Sequence, residues 1–272
     1  MKQIIIITGA SSGMGKDFAL HLLKEGHTVY GLARRVDNMK AIEEAGGYTM
    51  ALDITNHDQV ESVVQQIIAQ EQRIDVLINN AGFGMYGSIE DTTIEDARYQ
   101  FEVNIFGLAK ITQMVLPQMR VQKSGKIINI SSMGGKMYTP LGAWYHATKH
   151  ALEGWSDCLR LEVKSFGIDV VIIEPGAINT EFGDVLTEPM LKRSGEGPYA
   201  PLAHSIAKTT EEMYAKGGGS DVSVITNMVS KAIKSDQPKT RYVAGKFAKP
   251  MLFIRKYFSD RFFDKIIMSQ VK

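Results

Sequence analysis

The sequence predicts a single doubly wound α/β domain on a parallel sheet, and three observations carry that expectation. Short apolar runs alternate with helical patterns through the first two-thirds of the chain, as repeated βαβ units require. The first apolar run, Ile4 to Ile7, leads straight into Thr8-Gly9-Ala10-Ser11-Ser12-Gly13-Met14-Gly15. After Glu174 the alternation gives way to Gly- and Pro-bearing sequence as far as Ser220. With 272 residues, 44% of them hydrophobic, the chain can fill the core of one large domain.

Taken in order, strands are expected at residues 3–8, 28–33, 48–52, 75–79, 126–131, 169–174 and, at the far edge, 241–244. Helices are expected at 13–25, 38–45, 57–72, 94–122 and 143–166. In the first of these, Phe18 with Leu22 and Ala19 with Leu23 form i,i+4 pairs facing the sheet, and Gly26 supplies a C-terminal cap. Beyond the sixth strand, glycines at 195, 197 and 217–219 bound a helical stretch, 200–216. Inserts of this kind often cover the C-terminal edge of an α/β sheet, so residues 178–221 are expected to form a substrate lid. Residues 247–272 mix Lys and Arg with Phe, Ile, Leu and Met. They are expected to form a helical tail packed on the domain, with a membrane surface, or the covering of a hydrophobic pocket or partner, as the alternatives.

A strand, a tight glycine turn and a helix start leave unpaired N–H groups at the positive end of a helix dipole, where a pyrophosphate can sit. Gly9 allows the turn, Gly13 lets phosphates approach the backbone, and Gly15 lets the helix lie against the strand. This is the dinucleotide-binding corner of a Rossmann-type domain. In an NAD-binding unit an acidic residue about 20 positions later binds the ribose 2′-OH. Here that place holds Arg35, preceded by Arg34, with no carboxylate in the turn before Asp37. Two guanidinium groups suit a 2′-phosphate, so NADP(H) is expected over NAD(H). The competing reading leaves both arginines as solvated loop residues.

Tyr145 and Lys149 stand four residues apart, on one face of the helix 143–166. A neighbouring ammonium lowers a phenol's pKa, and an oxidised nicotinamide adds a second positive charge, so Tyr145 is a candidate acid/base. Ser131 and Ser132 end the fifth strand, Asn79-Asn80-Ala81-Gly82 ends the fourth, Asn104 is a polar residue inside the helix 94–122, and Pro175-Gly176 with Thr180 follows the sixth. With these motifs in this order over about residues 1–185, the sequence resembles the classical short-chain dehydrogenase/reductase family. The motifs are TGxxxGxG, Asp53, NNAG, Asn104, Ser132, YxxxK and PGxxxT.

The resemblance implies Tyr145 as acid/base, with Lys149 binding the nicotinamide ribose and lowering the tyrosine pKa. It implies that Ser132 holds the substrate oxygen and that Asn104 supports a water-linked proton relay. Cofactor contacts are expected from Gly9, Ser11, Ser12, Gly13, Met14 and Gly15, from Arg34 and Arg35, and from Asp53 and Ile54. Asn80, Ala81 and Gly82, then Pro175, Gly176, Ile178 and Thr180, complete that set, together with Tyr145 and Lys149. NNAGFGMYG at 79–87 and EPGAINTEF at 174–182 look like the branch holding hydroxysteroid and retinol dehydrogenases and bacterial NADP-dependent aldehyde reductases. The long helices resemble those of the family's dimer and tetramer interfaces, so a homodimer or homotetramer is expected.

The open end of the site is expected to be apolar, lined by Met85, Tyr86, Met133, Met137, Tyr138, Leu141, Trp144, Phe182, Val185 and Leu186. Methionine-lined pockets accept several hydrophobic shapes, which suits an aldehyde, ketone or secondary alcohol of steroid- or retinoid-like character. Gly9-Ala10-Ser11-Ser12-Gly13 also matches the hydrolase motif G-x-S-x-G, but it follows the first strand, where a nucleophile elbow does not normally sit. A cofactor-binding sensor without catalysis is the other alternative, opposed by the intact Ser132, Tyr145 and Lys149.

His146 and His150 share an i,i+4 spacing, but Lys149 between them repels a cation, so no metal is expected. Cys158 is expected to be a buried small apolar residue. A net charge of +1 with scattered Lys and Arg disfavours nucleic acid as a partner. No apolar run approaches the length of a membrane span, the chain opens straight into its first strand, and a single cysteine suits a reducing compartment, so a cytoplasmic location is expected. The expected sheet order is 3-2-1-4-5-6-7.

Overall fold

Ile4 to Ile7 are β-branched and apolar without interruption, as a strand covered on both faces requires. They open strand β1 (Ile4–Thr8), and alternate side chains enter different layers. Ile5 and Ile7 pack into one core cluster, Ile4 and Ile6 into another. The computed structural model describes residues 2–180, 182–215 and 217–271, and for 182–185 the backbone alone.

The remaining strands are β2 (Thr28–Ala33), β3 (Tyr48–Ala51), β4 (Val76–Asn79), β5 (Gly125–Ile130), β6 (Ile168–Pro175) and β7 (Arg241–Ala244). They form one seven-stranded sheet in the order β3-β2-β1-β4-β5-β6-β7. All six ladders are parallel. The order reverses between β1 and β4, the switch point at which ligands of open α/β sheets bind.

The helices that flank the sheet are α1 (Gly13–Lys24), α2 (Lys40–Glu44), α3 (His57–Glu71), α4 (Ile94–Phe101), α5 (Leu108–Gln122) and α6 (Ala143–Val163). Between the fourth and fifth lies a π-helical turn, Glu102–Gly107, so the helix expected at 94–122 is continuous but widens at Asn104. It passes so close to the loop after β3 that a Cβ on Gly107 would lie 2.5 Å from the Ile54 carbonyl oxygen.

Among the described residues, five more α-helices follow: α7 (Phe182–Ser194), α8 (Ala200–Ala215), α9 (Ser223–Lys234), α10 (Ala248–Tyr257) and α11 (Asp260–Ser269). α7, with Pro189 inside it, and α9 were not anticipated. α9 buries Ile225, Val229, Ala232 and Ile233 in the same layer as Phe18 and Leu22 of α1. Residues 178–221 leave and rejoin the sheet at one point, where Ile178 bridges Ser220 and the Ser220 N–H donates to the Ala177 carbonyl at 2.9 Å. α7 and α8 then pack together through Leu186, Met190, Ala203 and Ala207, with Leu141 beneath them. The tail helices are fastened by Met251, Phe263 and Ile267 against Met137. No helix among the described residues is long and apolar enough to cross a membrane.

Candidate active site

The glycine loop is built around close approach. Gly9 and Gly13 have φ of +68° and +51°, a region open to glycine at no steric cost. A Cβ on Gly15 would sit 2.3 Å from the Gly9 carbonyl oxygen, and one on Gly9 would sit 2.9 Å from the Ala81 Cα. Asn80 supports this turn from the end of β4, its side-chain amide donating to the carbonyls of Thr8 and Gly9 at 3.1 Å each. The Thr8 hydroxyl accepts the N–H groups of Asn80 and Ala81 at 3.0 Å. The loop is therefore held from two sides before any ligand arrives, a cradle that admits no side chain at Gly15.

Beside it lies a recess of about 410 Å³ lined by Ser11, Ser12, Gly13, Lys16, Arg35, Asp37, Asn38, Lys40 and Ala41. Three of these are cationic and one is anionic, which fits a phosphate. Arg34, exposed at the end of β2, donates to the Tyr99 hydroxyl at 3.2 Å. Asp53 is fixed by Thr55, whose N–H and hydroxyl donate to one carboxylate oxygen at 3.0 and 2.8 Å. Burial raises the Asp53 pKa, but the two Thr55 bonds and the nearby Arg34 outweigh it and hold the carboxyl below its ordinary value. The next residue, Ile54, is buried under the π turn.

Along the same C-terminal edge of the sheet, after β4 and β5, the catalytic candidates converge. Asn104 is buried, its carbonyl accepting the Phe83 N–H at 3.0 Å and its amide donating to the Phe83 carbonyl at 3.0 Å and the Thr148 hydroxyl at 3.1 Å. Its side chain is thus committed to tying the strand end to α6. Lys149 donates to the Ile130 carbonyl at 2.9 Å. A Cβ on Gly82 would lie 3.1 Å from Asn104 Oδ1 and 3.9 Å from Lys149 Nζ, so these three positions adjoin. Burial pushes the Lys149 ammonium down to about 8, against the pull of Glu153 one turn later.

Tyr145 and Ser132 share a side-chain hydrogen bond. Burial raises the Tyr145 pKa above the ordinary phenol value, with the Tyr86 ring adding to the rise and Ser132 opposing it. The lowering expected from Lys149 is not seen; desolvation dominates.

His146, with burial holding it neutral, is a clamp that sequence reasoning left as an ordinary helix histidine. One ring nitrogen pairs with the Gly134 carbonyl at 2.9 Å and the other accepts the Thr139 N–H at 3.0 Å. It thereby ties the loop after Ser132 to the helix that carries Tyr145. The His150 ring uses the His146 carbonyl at 2.8 Å. Below the site, buried Glu174 meets Lys136 at 2.5 Å and Arg241 at 3.1 Å, and Arg241 also holds Glu153 at 3.0 Å.

A cavity of about 570 Å³ opens above Ser132 and Tyr145. Met14, Tyr86, Met133, Met137, Ile178, Thr180 and Leu186 line it, with Pro175 and Gly176 at its floor. Ile206, Thr209, Thr210, Met213 and Tyr214 of α8 form one wall. Phe247, Met251, Ile267, Gln270 and Val271 of the tail form another.

Several expectations need correcting. Met85 is buried but does not line the cavity; the neighbouring Tyr86 does. Tyr138 lies outside the lining because it fastens the tail, its hydroxyl donating to Asp264 at 2.9 Å and its ring meeting Phe263 edge-on. Leu141 belongs to the cluster under α7 and α8, and Trp144 faces the Phe101 ring. The side chains of Phe182 and Val185 lie outside the described residues. Cys158 is exposed, not buried. It falls between Asp157, which pairs with Arg241, and Leu159, which takes the buried position on α6. The lid at 178–221 and a pocket-covering tail were among the expectations, but not the α8 and tail side chains that line the cavity, because periodicity does not say what a face covers.

The family model for short chain dehydrogenase matches residues 3–190. A 3-ketodihydrosphingosine reductase of Bacteroides thetaiotaomicron is 48% identical over 183 residues, 67% of this chain and 66% of that protein, so the match spans slightly less than two-thirds of that relative. An NADPH-dependent 3-dehydrocapnine reductase of Ornithobacterium rhinotracheale is 32% identical over 98% of this chain and 96% of its own. The crystal structure of a short-chain dehydrogenase from Streptomyces avermitilis superposes with a TM-score of 0.83 at 32% identity, covering 99% of this chain and 95% of that one. With the glycine cradle, the Ser132–Tyr145–Lys149 cluster and these matches together, the chain belongs to the short-chain dehydrogenase/reductase family of oxidoreductases.

Proposed function

We propose that this protein is an NADPH-dependent reductase of a ketone carried on a long apolar chain, of the kind that 3-ketodihydrosphingosine presents. The observation that carries the reading is the position of the Ser132–Tyr145 pair at the base of a 570 Å³ cavity walled by methionine, isoleucine and aromatic side chains. That volume lies within the usual range of small-molecule sites. The names of the two reductase relatives point the same way. NADPH is favoured over NADH by Arg34, Arg35, Lys16 and Lys40 around the glycine loop.

The glycine loop, Asp53, Ile54, the 80–82 turn and the segment from Pro175 to Thr180 would hold the cofactor. Bound there, the reduced nicotinamide supplies the hydride that the carbonyl carbon accepts. Ser132 and Tyr145 hydrogen-bond the carbonyl oxygen, and Tyr145 gives it the proton. The raised Tyr145 pKa keeps that proton in place at neutral pH, which suits the reductive direction. Lys149, still largely an ammonium at pH 7, stands one turn along the same helix and stabilises the phenolate left behind. Residues 178–221 serve as the lid. Exposed Ile94, Tyr99, Phe106, Val121 and Leu161 on the helices from α4 to α6, with Phe166 just beyond, suit a homodimer or homotetramer.

The test is NADPH consumption with a long-chain 3-keto amine, its short-chain analogue and simple aldehydes, with NADH in parallel. Turnover is expected with NADPH and to rise with chain length. Tyr145→Phe is expected to lower kcat by about 10³-fold while NADPH binding, followed by fluorescence, is retained. Normal turnover in that variant would overturn the proton-transfer assignment.

A further inference from the structure

The tail has two faces. The inner one packs Met251, Phe263 and Ile267 on the domain and lines the cavity. The outer one presents Phe253, Tyr257, Phe258 and Phe262, exposed by 57%, 64%, 47% and 43%. These rings form two pairs, Phe253 with Tyr257 and Phe258 with Phe262, each with centroids 4.8 Å apart. Lys249, Lys256, Arg261 and Lys265 are exposed among them.

From Lys246 to Val271 there are six basic residues against two acidic ones, while the whole chain carries only +1. Both acids are engaged, Asp260 by Arg255 at 2.6 Å and Asp264 by the Tyr138 hydroxyl at 2.9 Å. Arg255 is drawn in over the Tyr138 and Phe263 rings, and Lys246, Lys249, Lys256, Arg261 and Lys265 are left exposed. Exposed apolar side chains scattered singly are ordinary, but paired rings on one two-helix face are a surface that something covers.

The chemistry of the patch selects the occupant. The centre of a protein–protein interface is depleted in lysine, whereas here the cations interleave with the rings. Aromatic rings with Lys and Arg among them suit the boundary between lipid headgroups and acyl chains, where apolar bodies and charged tips are both accommodated. The net positive charge complements an anionic leaflet. The same two helices line the cavity above Ser132 and Tyr145, so the patch and the substrate space are opposite sides of one wall.

We propose that α10 and α11 seat this enzyme on an anionic bilayer surface, with the outer rings in the headgroup layer and the cavity beside it. An apolar substrate then passes between bilayer and active site without crossing bulk water. The docking surface stands on the patch alone and does not depend on which ketone is reduced.

The experiment is sedimentation of the full chain with vesicles of phosphatidylcholine alone or with phosphatidylglycerol, at low and high salt. Binding is expected to be about tenfold or more stronger with phosphatidylglycerol and to weaken with salt. The triple substitution Phe253→Ser, Phe258→Ser and Phe262→Ser, at positions outside the cavity, is expected to abolish it. Thermal midpoint and turnover of a water-soluble ketone should be unchanged, which separates failure of docking from failure of the reductase reading. Wild-type protein left in the supernatant, or a triple variant that sediments like wild type, would overturn the proposal. So would loss of self-association in the variant without vesicle binding by wild type, because the patch would then pair two copies of the chain.

Discussion

The recess beside the glycine loop and the cavity above Tyr145 are built in opposite ways. The recess, about 410 Å³, draws its whole lining from residues 11 to 41. The cavity, about 570 Å³, gathers its lining from separate stretches between Met14 and Val271. In the recess, the lining comes from one short stretch that follows the glycine turn, so each residue's place follows from its spacing to Gly9. In the cavity, α8 and the tail reach the same space from distant parts of the chain, and tertiary packing alone sets which side chains face inward. The first arrangement has the charge and shape to suit a phosphate; the second is defined by size and apolarity, and tolerates change.

The sharpest way to break this comparison is at the arginines. Replacing Arg34 and Arg35 together by Ser should lower kcat/KM for NADPH relative to NADH by roughly 10–100-fold, the scale of one to two lost charge-assisted hydrogen bonds. Substrate chain-length preference should not move. The ratio of the two cofactors' kcat/KM, measured with one ketone, checks it. An unchanged ratio would mean that the recess does not read the 2′-phosphate.

The same contrast explains what was legible beforehand. All seven strands could be read because most of the apolar runs are short, β-branched and bounded by helical pattern, whereas their order rested on the family resemblance. The positions of Asn80, Ser132 and Pro175 at strand ends followed from the same runs. Asn104 was readable as an anomaly, a buried polar residue in a helix, but the π turn around it was not, because helix widening has no periodic signature. α7 was hidden by Pro189 and α9 by the preceding glycine-rich stretch. Tyr138 and Met137 are adjacent methionine-rich-loop residues with the same apparent character. Only the placement of Asp264 and Phe263 shows that Tyr138 serves the tail alone, while Met137 packs on the tail and also lines the cavity.

A second prediction tests the boundary between the two regions, where Lys149 stands. Burial places its folded pKa at about 8, below the ordinary lysine value. The ammonium is therefore present below that pH and lost as pH rises through it in the cofactor-free enzyme. If NADPH binding requires the charged form, the binding must take up a proton above pH 8. The NADPH Kd should then rise about tenfold between pH 7 and 9. A flat Kd over that range, measured by cofactor fluorescence at constant ionic strength, would show that Lys149 does not contact the cofactor as an ammonium. Tyr145, pushed the other way by burial, stays protonated over the whole window and adds no competing step.

The smallest expected effect lies in the cavity. Ile267 is buried, packs with Met251 and Phe263, and supplies part of the tail wall. Ile267→Ala removes apolar surface that a long chain would cover but that a short ketone does not reach. A loss of about 1 kcal/mol of substrate contact is the scale for a side chain only partly covered by ligand, which is roughly fivefold in kcat/KM. KM for the long-chain ketone should rise by that factor, with the short analogue and the NADPH Kd unchanged. An equal loss for both ketones would mean that the tail supports the active site as a whole instead of measuring chain length. An effect confined to NADPH would place the tail wall on the cofactor side and dissolve the division between the two regions.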